Sequence, residues 1–298
     1  MKRAYLYLHL AVLLAGFTGI FGKLIDLNQT VLVFYRTLIA SAILGGILLF
    51  SRKKNHYKKQ DILQIAGAGL IISLHWVFFY GSIKSANVSI GVVCFCLTGF
   101  FTSLLNPFFK KGSFDKYELL LSLLVLLGIV LIFSFDMTYR LGILLGTVSA
   151  LLASLFTLMN EKLIGRYDLW EINFYQLLTA ALFSGILVVV YKIVDPALVV
   201  VPTKLDWVYL FVLAFFCTVL LYVLLLMAQR YVPAFTVNLS FNLEPIYSIL
   251  LAIVLFHENK TLKPSFYIGC VMIVLSIAIQ MWRLAHKRKK SRIPPLTV

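Results

Sequence analysis

The amino-acid sequence predicts an all-α membrane protein with ten transmembrane helices, arranged as two inverted five-helix repeats. Hydrophobic residues make up 61% of the 298 residues and charged residues only 13%, whereas soluble domains are about half apolar and about a quarter charged. The apolar residues fall into ten runs near the ~20-residue length that crosses the hydrocarbon of a bilayer. Short motifs of the first half recur in the second half in the same order. Together these observations predict both the fold class and its internal duplication.

The first run follows Met1-Lys2-Arg3, and we interpret it as a retained span because no small-residue cleavage site follows it. The connections between runs are too short for a soluble domain. The predicted spans are 5–22, 30–50, 62–83, 88–109, 117–135, 141–160, 172–193, 207–228, 234–256 and 264–284.

Basic residues concentrate in alternate connections and at both chain ends, which is how membrane topology is specified. The strongest clusters are Arg52-Lys53-Lys54 and Lys287-Arg288-Lys289-Lys290. They predict a multi-pass protein of the cell (inner) membrane with both termini in the cytoplasm. The net charge of +15 does not indicate nucleic-acid binding, because the aromatic residues lie inside the apolar runs and not among the basic ones.

The repeat is visible in matched motifs that follow one another in the same order in both halves. Lys23-Leu24-Ile25, Phe34-Tyr35-Arg36, Ala40 and Gly45 are followed about 140 residues later by Lys162-Leu163-Ile164, Phe174-Tyr175-Gln176, Ala180 and Gly185. Leu97-Thr98-Gly99 likewise corresponds to Leu243-Glu244-Pro245. Because each half holds an odd number of spans, the second half must enter the membrane inverted. This is the architecture of many secondary transporters.

The segment 34–40 and the segment Asn242-Leu243-Glu244-Pro245, with Leu255-Phe256-His257-Glu258 and Gly269, resemble signatures of the EamA-type transporters in the drug/metabolite transporter superfamily. The resemblance covers the whole chain. It implies a carrier of small metabolites with a central cavity lined by the first, third, fourth, sixth, eighth and ninth helices. It divides the chain into repeats 1–138 and 139–285 and a basic cytoplasmic tail, 286–298. The first half departs from the pattern, with Thr98-Gly99 in place of Glu-Pro and Gly112 in place of the second Glu.

Glu244 is the acidic residue deepest within a predicted span, where a carboxylate must pair, protonate or face water. Pro245 removes a backbone donor and disfavours helical geometry at Glu244, which predicts a break in the ninth helix. Asn238 and Asn242 share one helix face. We predict that these three polar residues bind substrate or couple its transport, with Pro245, Thr98 and Gly99 as structural motif positions. The alternative is that Glu244 only satisfies freed backbone donors or an adjacent helix.

Arg36 lies about 9 Å into the second span at 1.5 Å per residue. It either snorkels to the interface, pairs with a carboxylate or contacts an anionic substrate group. His75, Trp76 and Tyr80 in the third span form a candidate aromatic cavity wall, although simple aromatic packing is the alternative. His75 is also an intramembrane group suited to proton transfer.

Together these features predict a secondary transporter, in the exporting direction, for small organic metabolites such as amino acids. The alternatives are a membrane-embedded enzyme acting on lipids or lipid-linked intermediates and a non-transporting receptor or assembly factor. The sequence has no HExxH, phosphate-loop or Gly-x-Ser-x-Gly pattern. We therefore expect no enzymatic activity, no catalytic residue, no cofactor and no metal. The expected partners are a small-molecule substrate, the lipid bilayer and protons as coupling ion; the sequence does not predict an oligomeric state.

Overall fold

The protein was analysed as a computed structural model, which describes residues 2–50, 57–109, 116–133, 139–257 and 264–290. Throughout these residues the chain is helical, apart from connections and one isolated bridge between Ile164 and Tyr167. A π-helical turn, Phe215–Leu220, joins α9 to α10. The α-helices are α1 (Lys2–Leu24), α2 (Gln29–Phe50), α3 (Lys59–Ser85), α4 (Val88–Phe95), α5 (Leu97–Phe109), α6 (Lys116–Phe133), α7 (Arg140–Leu163), α8 (Leu169–Val194), α9 (Lys204–Ala214), α10 (Leu221–Gln229), α11 (Ala234–Phe241), α12 (Glu244–Phe256) and α13 (Pro264–Lys290).

In the described part of the chain, 8 helical stretches are long and apolar enough to cross a membrane. They are α1, α2, α3, α4 with α5, α7, α8, α9 through α10, and α11 with α12. The prediction of a multi-pass helical membrane protein is confirmed. The two other predicted spans coincide with α6 and α13, whose described apolar runs, Leu119–Gly128 and Tyr267–Ser276, are shorter. The count of ten spans therefore stays a prediction.

Three predicted features lie wholly or partly outside the described residues. They are the basic cluster Arg52-Lys53-Lys54, the boundary between the proposed repeats at residue 138, and the end of the basic tail, 291–298. Gly112 and Glu258 of the signature segments lie outside as well. The helix α13 itself continues to Lys290, six residues beyond the predicted end of the last span at residue 284.

The predicted break near Glu244-Pro245 is confirmed. Helix α11 ends at Phe241 and α12 begins at Glu244. The backbone N–H groups of Asn242 and Leu243 bond to carbonyls three residues back, at 3.1 Å each, so the chain tightens into a 3₁₀-like turn. Pro245 then stands in the first turn of α12, where a missing N–H leaves no helical bond unmade.

A similar break divides the fourth predicted span. Helix α4 ends at Phe95, the N–H of Cys96 bonds to Val93 O at 3.0 Å, and α5 begins at Leu97. Helices α4 and α11 are both 8 residues long, and each follows a residue with extended backbone, Asn87 or Pro233. The two broken stretches also touch, because the rings of Phe95 and Phe241 lie 6.3 Å apart at 79°.

The pair α2 and α8 packs through two reciprocal phenylalanine–glycine contacts. A Cβ atom added at Gly185 would lie 3.1 Å from Phe34 Cε2, and one added at Gly45 would lie 3.0 Å from Phe174 Cε2. The phenylalanine near the start of each helix therefore meets the glycine nearer the end of the other helix. This arrangement shows that α2 and α8 run antiparallel. Glycine permits this approach because a ring occupies the space that a side chain would need.

Two further antiparallel pairs extend the packing. Helix α6 meets α13, where a Cβ at Gly128 would lie 2.9 Å from Gly269 O and Ser276 Oγ donates to Leu121 O at 3.1 Å. Helix α3 meets α7, where Ser82 Oγ donates to Gly142 O at 2.6 Å. Interhelical hydrogen bonds of this kind are favourable in lipid, where water offers no alternative partner.

A polar cluster ties the connection between α7 and α8 to the start of α3. Tyr167 donates to Asp61 Oδ1 at 2.6 Å, and this hydrogen bond to a carboxylate raises the pKa of Tyr167. Tyr57 donates to Glu171, and the Tyr57 and Tyr167 rings meet edge to face at 5.3 Å. These contacts fix one end of the helix array.

Candidate functional site

A narrow cavity of about 40 Å³ lies among α1, α2, α3, α4, α10, α11 and α12. The sequence-predicted residues Arg36, His75, Trp76 and Glu244 all line it. The first, third, fourth, eighth and ninth predicted spans contribute, as expected, and the second contributes Arg36. The sixth span supplies no lining residue in the part of the chain described. The remaining lining residues are Ala15, Thr18, Phe79, Phe95, Leu221, Tyr222 and Phe241.

Arg36 is buried, with 1% of its surface exposed, so the snorkelling alternative is wrong. Its three nitrogens each donate to a different neutral acceptor: Nε to Thr218 Oγ1 at 2.7 Å, Nη1 to the Tyr80 hydroxyl at 2.6 Å and Nη2 to Cys217 O at 2.7 Å. The guanidinium also lies 4.2 Å from the centroid of the Trp76 ring. Among the described residues no carboxylate pairs with Arg36, so the ion-pair alternative is not realised either.

These partners explain how a lone buried cation is tolerated. A charge in hydrocarbon must be paired or hydrogen-bonded. Here three hydrogen bonds to neutral oxygens and the contact with the Trp76 ring stabilise the guanidinium of Arg36. Tyr80 is fully buried and does not line the cavity as predicted, but it holds Arg36 from the α3 side. The face of the Trp76 ring adds cation–π attraction.

His75 is anchored on its Nδ1 side. Ser149 of α7 approaches Nδ1 with its hydroxyl oxygen at 2.8 Å and its backbone carbonyl at 3.0 Å. The ring stacks on Phe79 at 5.9 Å and lies 5.4 Å from the Phe95 ring. When Nδ1 donates to the Ser149 carbonyl, the tautomer is fixed and Nε2 carries the acceptor lone pair. His75 is therefore packed and hydrogen-bonded as a structural residue would be, and it also lines the cavity.

Glu244 begins α12 and is 3% exposed. Its carboxyl group lines the cavity, yet no donor in the described ranges hydrogen-bonds to it. The prediction that Glu244 only satisfies freed backbone donors is therefore not met, since the 3₁₀-like turn already uses the N–H groups of Asn242 and Leu243. Glu244 is the charged group of the cavity without a protein partner among the residues described.

Asn238 lies in a separate polar cluster between α5, α7 and α11. Its Nδ2 donates to Thr102 Oγ1 at 2.7 Å, and Thr157 Oγ1 donates to its Oδ1 at 3.0 Å. The carbonyl of Thr98 accepts from Ser154 Oγ at 2.7 Å and from Thr102 Oγ1 at 2.6 Å. Asn238 thus joins three helices, and the backbone of Thr98 anchors α5 to α7.

Asn242 and Gly99 meet where the two broken helices cross. A Cβ at Gly99 would lie 4.0 Å from Asn242 Nδ2 and 3.6 Å from a Leu239 methyl group. Both polar atoms of the Asn242 side chain and the Thr98 hydroxyl are buried and lack a protein hydrogen bond in the described structure. Neither Asn242 nor Asn238 lines the cavity of Arg36 and Glu244, although the ninth predicted span carries all three residues.

Several residues that line the cavity or hold Arg36 were not predicted from the sequence. Thr218 and the carbonyl of Cys217 lie in the π-helical turn, and Thr218 Oγ1 also donates to Leu213 O, five residues back, at 2.9 Å. Tyr222, one turn later, packs edge to face on Trp76 at 5.5 Å. No local pattern distinguishes these residues from an ordinary apolar helix, and π-bulges are recognised only in a structure.

The fold and the cavity define the class: a multi-pass α-helical membrane protein whose helices enclose a small polar and aromatic site. The model of the EamA-like transporter family matches the chain twice, over residues 2–134 and 140–282. The chain therefore belongs to the EamA-like transporter family and is a transporter of the drug/metabolite transporter type. Membership also implies a small-molecule substrate and a lipid environment.

Two similar proteins place this family assignment in context. The curated "Uncharacterized transporter YxxF" of Bacillus subtilis (strain 168) is 24% identical over 285 residues, covering 93% of this chain and 89% of that protein. A solved crystal structure has a TM-score of 0.68 at 19% identity, covering 93% of this chain and 96% of the solved one. The second likeness concerns the fold alone.

Proposed function

We propose that this protein is a secondary transporter that exports small organic metabolites, such as amino acids, across the cytoplasmic membrane by alternating access. One observation carries the proposal: residues from both halves of the chain converge on one buried cavity. Ala15, Arg36 and His75 come from before residue 138, and Tyr222 and Glu244 from after residue 139. Transporter sites lie between the repeats that move against each other.

The same proposal includes ten spans in two inverted five-helix repeats, 1–138 and 139–285, followed by the basic tail. The antiparallel α2–α8 pair supports it, because its reciprocal contacts join residues at matching positions of the two halves: Phe34 with Gly185, and Phe174 with Gly45. A two-fold axis relates contacts in this reciprocal manner. The matching breaks after Phe95 and Phe241 add further support.

Transport is tested with purified protein in proteoliposomes loaded with a panel of amino acids, amines and organic acids. We expect saturable counterflow of at least one solute and an increase in melting temperature in the presence of that solute. Absence of both across the panel contradicts the transport proposal. The outward direction is tested by comparing right-side-out with everted membrane vesicles.

Proton coupling is the part of the proposal that depends on Glu244 and His75. An intramembrane carboxyl group that faces a cavity is suited to exchange a proton for a substrate. In Glu244→Gln, the dependence of flux on a pH gradient should disappear. Unchanged flux with unchanged pH dependence would exclude Glu244 as the proton carrier, while leaving uncoupled transport intact.

The predicted orientation is tested by fusing reporters that work on only one side of the membrane to each terminus. The distribution of basic residues supports placing both ends in the cytoplasm. Reporter activity on opposite sides would contradict an even number of spans. Activity of both reporters outside would contradict the predicted orientation.

A further inference from the structure

The two charged residues that line the cavity, Arg36 and Glu244, differ in the hydrogen bonds that the protein gives them. Arg36 uses all three of its nitrogens on Thr218, Tyr80 and the Cys217 carbonyl. Glu244 is equally buried, at 3% exposed, but receives no hydrogen bond from any residue in the ranges described. A buried carboxylate without a partner costs free energy, so a bound solute that supplies a donor and a positive charge relieves that cost.

The walls of the cavity favour the same kind of solute. Trp76, Phe79, Phe95, Tyr222 and Phe241 line it with aromatic faces and edges. Aromatic faces attract organic cations, with the strongest effect where water is excluded. They also provide apolar surface for a hydrocarbon or aromatic body attached to the charged group.

The cavity provides less for a solute carboxylate than for an amine. The guanidinium of Arg36 already uses three of its five N–H groups on Thr218, Tyr80 and the Cys217 carbonyl, and the Trp76 ring covers one of its faces at 4.2 Å. His75 has its Nδ1 side occupied by Ser149. A negatively charged solute would also meet Glu244, and like charges in a low-dielectric site repel strongly.

We infer that the group recognised in this cavity is a protonated amine, which binds the carboxylate of Glu244, and that a carboxylate on the solute is dispensable. This rests on the proposed transport function and narrows its substrate class to small amines with an apolar or aromatic body. Amino acids fit through their ammonium group. Acid anions and neutral amides are excluded because neither brings a positive charge that can pair with the Glu244 carboxylate.

The inference is tested on the wild-type protein with four solutes that share one phenyl body: 2-phenylethylamine, phenylalanine, N-acetyl-2-phenylethylamine and 3-phenylpropionate. Melting temperature in detergent and inhibition of counterflow are measured for each. We expect both amine-bearing solutes to raise the melting temperature and to inhibit flux at least tenfold more strongly than the acetylated and acidic analogues. Equal or stronger effects of 3-phenylpropionate, or no effect of either amine, overturn the inference.

Substitutions test whether the preference for amines depends on Glu244. Glu244→Gln should lose the preference for the amine over its acetylated analogue by at least tenfold, and Glu244→Asp should retain part of it. Asp195→Asn changes an exposed acid between α8 and α9 and should leave the preference unchanged. A Glu244→Gln protein that keeps the full preference overturns the inference, and the wild-type solute series decides the question if that variant fails to fold.

The outcomes separate the two proposals. If the proteoliposomes transport acids or neutral solutes and ignore amines, the amine inference fails while the transport function stands. If no solute of the panel is transported or stabilises the protein, the transport function itself fails.

Discussion

Arg36 shows how one charged residue is held inside a membrane protein. It is bound by partners from two distant segments, Tyr80 on α3 and the π-helical turn that contains Thr218, about 180 residues away along the chain. Each partner is neutral, so the positive charge of Arg36 is not cancelled locally. Glu244 is the group of opposite charge that lines the same cavity among the residues described.

Replacing Arg36 with Gln removes the cation–π contact with Trp76 and leaves Tyr80 and Thr218 without their shared donor. We expect a loss of about 2–4 kcal/mol in the free energy of unfolding, since membrane hydrogen bonds contribute about 0.6 kcal/mol each and a desolvated cation–π contact about 2. Unfolding in mixed detergent measures it. Arg230→Gln, at an exposed helix end, should change the stability little, and an equal loss in both variants would contradict the assigned role.

Thr218 offers a narrower test of the same contact. Thr218→Val keeps the shape of the side chain but removes the oxygen that accepts from Arg36 Nε and donates to Leu213 O. We expect a loss of about 1–2 kcal/mol. Thr218→Ser keeps the hydroxyl and should lose less, so a series in which Ser is as damaging as Val would show that methyl packing matters more than the hydrogen bonds. Thermal unfolding of the purified variants measures this order.

At the scale of helices, close packing depends on particular glycines and not on all of them. On α3, a Cβ at Gly69 would lie 2.8 Å from the Cα of Gln176, whereas one at Gly67 would lie 3.8 Å from the end of the flexible Met159 side chain. Close helix approach therefore occurs at Gly69 and Gly45. It does not occur at Gly46, whose added Cβ would meet nothing within 4 Å.

This difference gives a matched pair of substitutions two residues apart. Gly69→Ala should push α3 away from α8 and destabilise the fold by about 1–3 kcal/mol. Gly67→Ala meets no backbone and should be neutral or stabilise α3 by about 0.5–1 kcal/mol through helix propensity. Melting temperatures of the two variants, measured side by side, should therefore move in different directions. A similar fall in both would contradict the α3–α8 contact.

At the scale of the whole molecule, two antiparallel pairs, α2 with α8 and α6 with α13, each join a helix of the first half of the chain to a helix of the second half. Helices α2 and α8 meet through reciprocal contacts of Phe34, Gly45, Phe174 and Gly185, while α6 and α13 meet at Gly128. The cavity lies among α1, α2, α3, α4, α10, α11 and α12, so α2 both packs against α8 and lines the cavity through Arg36.

The α6–α13 pair can be tested by cross-linking. A Cβ at Gly128 would lie 3.3 Å from Met272 Cβ, close to the separation of about 3.5–4.5 Å in disulfides. In a background with Cys94, Cys96, Cys217 and Cys270 replaced by Ala, the pair Gly128→Cys and Met272→Cys should form a disulfide on oxidation, with a small outward shift of α6 that relieves the 2.9 Å approach of the new Cβ to Gly269 O. A chain cut at a protease site inserted between α7 and α8 should then stay in one piece until it is reduced.

The control for this experiment pairs Met272→Cys with Gly46→Cys, because the space beside Gly46 is open. That chain should separate into two fragments with or without reductant. Cross-linking in the control, or none in the Gly128 pair, would show that α6 and α13 do not pack as described.

The sequence by itself determined the membrane class, the positions of the long helices and the break before Glu244-Pro245. These follow from local properties: apolar length fixes where a chain can cross lipid, and proline removes a backbone donor wherever it stands. Matching motifs at Phe34 and Phe174 also indicated which helices correspond. The short motifs also indicated the EamA-type family, and the family model matches both halves of the chain.

Only the tertiary structure decided which polar residues meet. It separated Asn238 and Asn242 from the cavity, left Tyr80 out of the cavity lining, and bound Arg36 to a π-helical turn that no sequence pattern marked. The physical reason is distance along the chain. The partners of a buried polar group are selected by helix packing between segments far apart in sequence, whereas hydropathy and propensity describe only what each segment does alone.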